Sequence, residues 1–66
     1  MSDALTGREI IFEFYPIGHY VKVTAMDTKT LTEVVTQGPA SAGEMTLKRN
    51  ARKRLEYVLR KNGHIK

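Results

Sequence analysis

From Glu9 to Tyr15 the chain alternates, with Ile10, Phe12 and Phe14 at one parity and Glu9, Ile11, Glu13 and Tyr15 at the other. That period of two is the signature of a half-buried strand, because successive side chains of extended backbone point to opposite faces. Tyr20 to Met26 repeats it, setting Val21, Val23 and Ala25 against Tyr20, Lys22, Thr24 and Met26, with β-branched residues through its centre. Between the two runs, Pro16, Ile17 and Gly18 combine a fixed φ with a residue that tolerates positive φ, so a turn is expected there and the strands should pair antiparallel. Asp27 to Thr30 reads as a polar turn opened by an Asx-capable residue, and Leu31 to Gln37 as a third strand ended by Gly38 and Pro39. Val34 and Val35 are adjacent, so the third strand must supply apolar surface to both faces.

The period then changes. Ser41 to Glu44 has the S-x-x-E form of a capping box, with Thr46 as an alternative cap, because Gly43 in the first turn weakens the start. On a helical wheel Leu47, Ala51, Leu55, Val58 and Leu59 fall on one stripe, and Asn62-Gly63 supplies a stop, since glycine enters the left-handed conformation without steric cost. The expected fold is therefore α+β: a three-stranded antiparallel meander followed by one C-terminal helix, in the order β-β-β-α. Residues 1–7 are expected to be a disordered N-terminus, residues 8–63 a single domain and residues 64–66 a frayed C-terminus.

A sheet has two faces and one helix covers only one of them. The covered face should carry Ile10, Phe12, Phe14, Val21 and Val23. The other should carry Ile11, Tyr15, Tyr20, Met26 and one of Leu31 or Val35, interspersed with Glu9, Glu13, Lys22 and Glu33. A contiguous apolar surface of that kind points to a homo-oligomer, with Ile11, Tyr15, Tyr20 and Val35 as the self-association surface. The chain's size agrees, since 66 residues without cysteine lie near the lower limit at which one core stabilises a fold unaided. The bland alternative is an amphipathic outer face with its tyrosines lying flat under charged neighbours.

Charge is segregated along the chain. Residues 48–66 hold eight Lys and Arg against the single acid Glu56, a formal +7, whereas residues 1–47 hold three basic and six acidic side chains, a formal −3. Arg49, Arg52, Lys53, Tyr57 and Arg60 form the candidate surface for an anionic partner, either an acidic protein or nucleic acid. Like-charge pairs four apart, Lys48 with Arg52 and Arg49 with Lys53, each disfavour the helix by about 0.2–0.5 kcal/mol, so propensity does not account for them. A solvated helix face explains part of the charge: Arg60, Lys61 and His64 suit the negative end of the helix dipole, and Glu56 can pair with Arg52 and Arg60. No RNP, KH, zinc-finger or helix-turn-helix signature supports nucleic-acid recognition specifically.

Chemistry finds little purchase. The absence of cysteine excludes disulfides, thiolate metal sites and thiol nucleophiles, and fits a reducing cytoplasm. The two histidines, His19 and His64, share no metal-ligand spacing, and His19 with Glu13 and Tyr15 is a weak acid-base candidate at the hairpin. Gly38 to Gly43 precedes a helix but lacks the Lys-Ser/Thr ending of a phosphate-binding loop. No cofactor, metal site or catalytic activity is expected, and no apolar run is long enough to span a membrane.

The runs Ile17-Gly18-His19-Tyr20-Val21-Lys22-Val23, Gly38-Pro39-Ala40 and Lys53-Arg54-Leu55-Glu56-Tyr57-Val58-Leu59 resemble a small uncharacterised family of alphaproteobacterial proteins. The resemblance covers roughly residues 8 to 63 and implies a bacterial cytoplasmic setting without an activity or functional residues. Members have carried a serine hydroxymethyltransferase label. A pyridoxal-phosphate enzyme needs a Schiff-base lysine in a large enclosed pocket, which a chain of this length does not provide.

Overall fold

The computed structural model describes residues 4–66. Three strands form one antiparallel meander in the order β1-β2-β3: β1 is Ile10–Ile17, β2 is Tyr20–Asp27 and β3 is Thr32–Pro39. A short 3-10 turn, Ala40–Ala42, leads into the helix α1, Glu44–Lys61. The β-β-β-α order read from the periodicities is the order found.

The register sorts every strand residue onto a face. Phe12 stands opposite Ala25, which stands opposite Val34, and Phe14 shares a row with Val23 and Thr36. This is the face under α1. Val23, Ala25, Val34, Leu47, Ala51, Leu55 and Leu59 form its buried core, with Ile10, Phe12, Phe14, Val21 and Val58 packed around it. The helix lies over β2 and β3 rather than centrally, so Phe12 and Phe14 of β1 stay only half-buried. Gly38 allows this placement: a Cβ built there would come within 2.7 Å of Leu47 Cδ2.

Several local readings are corrected. β1 runs through Pro16 to Ile17, and only Gly18 and His19 lie in the turn. Proline is tolerated because of its parity. Glu9 O accepts from Thr28 N at 3.1 Å, which places the odd-numbered residues of β1 on the bonded side of an alternating ladder. The nitrogen of Pro16 therefore faces the open edge, where no ladder bond is lost. The same logic holds for Pro39, since His19 O accepts from Ala40 N at 2.8 Å and so directs the neighbouring Pro39 outward. Leu31 is not in β3; it closes the Thr28–Leu31 connection at φ 61°, with its N–H on Asp27 O at 2.7 Å.

The capping box at Ser41 does not form. Ser41 lies within the 3-10 turn, and α1 begins after Gly43, which has φ 87° and provides no side-chain cap. Gly43 O accepts the first helical bond from Leu47 N at 3.1 Å. Because the backbone there adopts a positive φ that only glycine reaches easily, the start of α1 is fixed by Gly43 and not by the serine. The other end is as expected: His64 N bonds Leu59 O at 2.8 Å and Gly63 N bonds Arg60 O at 3.1 Å, the paired bonds of a Schellman stop.

Residues near both ends pack against the domain. Of the residues expected to form a disordered N-terminus, Leu5 is buried in the core and its carbonyl accepts from Arg8 N at 3.0 Å, while residues 1–3 lie outside the described residues. Ile65 packs against the core, and the carbonyls of His64 and Lys66 accept from Arg8 and Arg60.

What ties these ends down is Asp27. It was read as a turn opener, and its side chain does accept from the Thr30 amide at 3.1 Å and the Thr30 hydroxyl at 2.7 Å. It is also fully buried, with Arg8 Nη1 at 2.7 Å from Oδ2. Arg8 Nη2 then reaches His64 O at 3.0 Å, joining the start of β1, the end of β2 and the end of α1. Burial pushes the Asp27 carboxyl up, but the Thr30 hydroxyl and amide and the Arg8 charge outweigh it and hold the group below the usual carboxylate range.

Candidate functional site

The face of the sheet turned away from α1 is the larger of two candidate surfaces. Its rows, fixed by the register, are Ile11–Met26–Glu33, Glu13–Thr24–Val35, Tyr15–Lys22–Gln37 and Ile17–Tyr20–Pro39. The four residues singled out from sequence, Ile11, Tyr15, Tyr20 and Val35, all lie on it. Exposure is substantial for large apolar groups: Ile11 43%, Tyr15 43%, Tyr20 42% and Val35 56%. Ile17, at 44%, joins them and was missed, because reading Pro16 as a break placed it in a turn. Its parity with Ile11 and Tyr15 was the available signal. Leu31, weighed as an alternative to Val35, is an exposed turn residue and contributes nothing to this face.

The polar groups of the face are interleaved with the apolar ones. Lys22 on the central strand holds Nζ 5.1 Å from the centre of the Tyr15 ring, a cation–π contact. Glu13 and Glu33 sit on the two outer strands. A hydrogen bond to Glu13 and the charge of its carboxylate push the Tyr15 phenol up, with a smaller contribution from Glu33. Glu13 and Tyr15, two members of the acid-base candidate, thus meet on the open face, while His19 is exposed in the hairpin turn.

The second surface is the basic helix, and the structure divides the residues assigned to it. One flank faces β1: Lys48 Nζ lies 5.0 Å from the centre of the Phe12 ring, and Met45, Lys48, Arg49 and Arg52 line a groove of about 350 Å³. Lys53 and Arg60 are exposed, and Arg60 is already engaged by Glu56 Oε1 at 2.9 Å and by the Lys66 carbonyl at 3.0 Å. Tyr57 is exposed beside Arg54, whose guanidinium is 5.5 Å from the ring centre. Arg49, Lys53, Tyr57 and Arg60, three or four residues apart in turn, share one exposed face of α1, with the partly buried Arg52 on the side nearer β1. Lys48 belongs to the groove and was not among them.

A second groove, of about 240 Å³, is lined by Phe14, Pro16, Val21, Ala40, Glu44 and Leu47, between the end of β1 and the start of the helix. Among the described residues no group of three or more His, Asp or Glu side chains is placed to hold a metal ion. No helix among them is long and apolar enough to cross a membrane.

The model of a family described as a domain of unknown function (DUF6898) matches residues 7–62, and the chain belongs to that family. No curated protein matches the chain, and no solved structure does.

Proposed function

We propose that this member of the DUF6898 family is a small assembly module that binds a second copy of itself through the open face of its sheet. The observation that carries this reading is the exposure of Ile11, Tyr15, Ile17, Tyr20 and Val35 on one continuous face, while α1 covers the opposite face over β2 and β3. Three strands of eight residues present a footprint of about 26 by 14 Å. With side-chain relief, two such faces meeting bury on the order of 1,000 Å² in total, at the lower bound of a specific interface. The dimer is thus expected to be reversible rather than obligate. Lys22 on the central strand and Glu13 and Glu33 on the outer strands add opposite charges that two facing copies can bring together.

Sedimentation velocity across protein concentration tests the proposal. The wild type should shift from monomer towards dimer as concentration rises, and Ile11→Arg or Val35→Lys should hold it at monomer mass with an unchanged circular dichroism spectrum. A wild type that stays monomeric to millimolar concentration rejects the reading.

On this reading the protein works by binding, not turnover; both grooves are open to solvent, which suits contact with a macromolecule better than enclosure of a substrate. A cytoplasmic setting is supported by the absence of cysteine, and an alphaproteobacterial source by the resemblance of the hairpin and helix motifs. Nucleic-acid binding by the basic helix is the second reading. It is supported by the exposed Arg49, Lys53 and Tyr57, and weakened by the engagement of Arg60 with Glu56.

A further inference from the structure

The outer edge of β1 and the helix flank beside it form a surface distinct from the open face. The hydrogen bond from Thr28 N to Glu9 O sets the parity of the ladder, so Ile10, Phe12 and Phe14 direct their N–H and C=O groups away from β2. No described strand pairs with that edge. Pro16 has the same parity but no N–H, so the usable edge runs from Ile10 to Phe14 and stops there. On the helix side of this edge, Phe12 and Phe14 remain half-exposed, and the Lys48 ammonium stands over the Phe12 ring. β3 offers no equivalent: α1 lies over it and Val34 is already buried, so an added strand there has little apolar surface to gain.

We propose that the β1 edge beneath the Lys48–Arg49 flank of α1 is a docking site for an extended acidic peptide, which adds to the sheet as a fourth strand. In such a strand alternate side chains point to the helix side, where carboxylates meet Lys48 and Arg49, and the intervening ones continue the row of Ile11 and Tyr15. Arg52, which lines the same groove, is engaged in an interaction of its own, and Glu44 lines the neighbouring groove by Phe14 and Pro16, so the acidic positions belong near Phe12, beside Lys48. A second copy of this chain is a poor occupant. Antiparallel pairing of β1 with itself brings Lys48 and Arg49 of both copies to the same side of one seam, where like charges repel. Single-stranded nucleic acid satisfies the charges but has no peptide groups to pair with the row of backbone donors and acceptors.

The test uses the full chain and a short capped peptide alternating valine and glutamate, at low salt where charge contacts are least screened. The controls are the same peptide N-methylated at alternate amides, its lysine counterpart and an oligothymidylate. Saturable binding of the glutamate peptide is expected, with amide shifts centred on Ile10, Phe12 and Phe14. Binding should weaken at least about tenfold on N-methylation, and similarly in the double variant Lys48→Glu, Arg49→Glu, whose helix content is checked by circular dichroism. Val35→Lys, on the opposite face, should leave it intact, so failure of this site and failure of self-association are read separately. Absence of binding, equal binding of the N-methylated peptide, or shifts confined to the open face would overturn the proposal. So would an oligothymidylate that displaces the peptide from the same amides with equal affinity.

Discussion

The two faces of the sheet are built from the same three strands, yet they differ in what each side chain has for company. Under the helix Val23, Ala25 and Val34 are buried because Leu47, Ala51, Leu55 and Leu59 descend onto them. On the open side Ile11, Tyr15, Ile17, Tyr20 and Val35 have no such cover and remain exposed. In a chain this short, stability must come mainly from the covered side, whereas the open side has apolar area to give to an interface. The contrast separates folding from association, and substitutions on the two faces should divide accordingly.

The largest effect belongs to the covered face. Leu55→Ala removes a fully buried side chain at the centre of the helix stripe and should cost about 2–5 kcal/mol in denaturant unfolding, enough to unfold much of the population. A cost below about 1 kcal/mol would mean that the core lies elsewhere.

Next comes the ionic corner that closes the covered face. Arg8→Ala leaves Asp27 buried without its cation and should cost about 3 kcal/mol. The acid's behaviour sharpens this. Asp27 has its pKa lowered on folding, so its contribution is fully present above its unfolded value, near 4, and is lost as pH falls through the folded value below that. Wild-type stability should therefore fall as pH drops below about 4, and Asp27→Asn should flatten that part of the profile.

Substitutions on the open face should do the reverse. Val35→Lys is expected to change the stability of the dilute monomer by less than about 0.5 kcal/mol, measured by urea unfolding well below the dimer dissociation constant. An equal loss on both faces would erase the distinction. The smallest effect is expected at Ser41→Ala, close to zero, because the serine makes no cap bond; a loss of about 1 kcal/mol, usual for a working N-cap, would restore the capping box.

How much of this was legible in the sequence depends on how local each cause is. Strands, helix stripe and helix stop follow from periods and from one glycine, all contained within a few residues, and they appear in the expected order, with bounds that differ at the ends of β1 and β3. Pro16 misled because proline breaks a strand only where its N–H is needed, and that depends on the parity of pairing with β2. Asp27 misled in a similar way: its turn chemistry with Thr30 is local, but its burial against Arg8 joins residues nineteen positions apart. Ser41 lost its cap because Gly43, two residues later, adopts a conformation that sets a different helix start.

The same division runs through the candidate sites. The open face was legible as a set of parities, apart from Ile17. On the basic helix the Arg54–Tyr57 contact was legible from a spacing of three, whereas the contact of Lys48 with Phe12 was not, since it follows from the lateral placement of α1 over β2 and β3. Nothing in the spacing of the helix residues encodes that offset.

The most direct measurement is an isotope-filtered NOE experiment on a concentrated mixture of labelled and unlabelled protein, which detects only contacts between chains. Self-association through the sheet predicts intermolecular NOEs among the side chains of Ile11, Tyr15, Ile17, Tyr20 and Val35 and none from Leu55 or Ala51. Intermolecular NOEs confined to the helix, or none at a concentration where every open face should be paired, would contradict it.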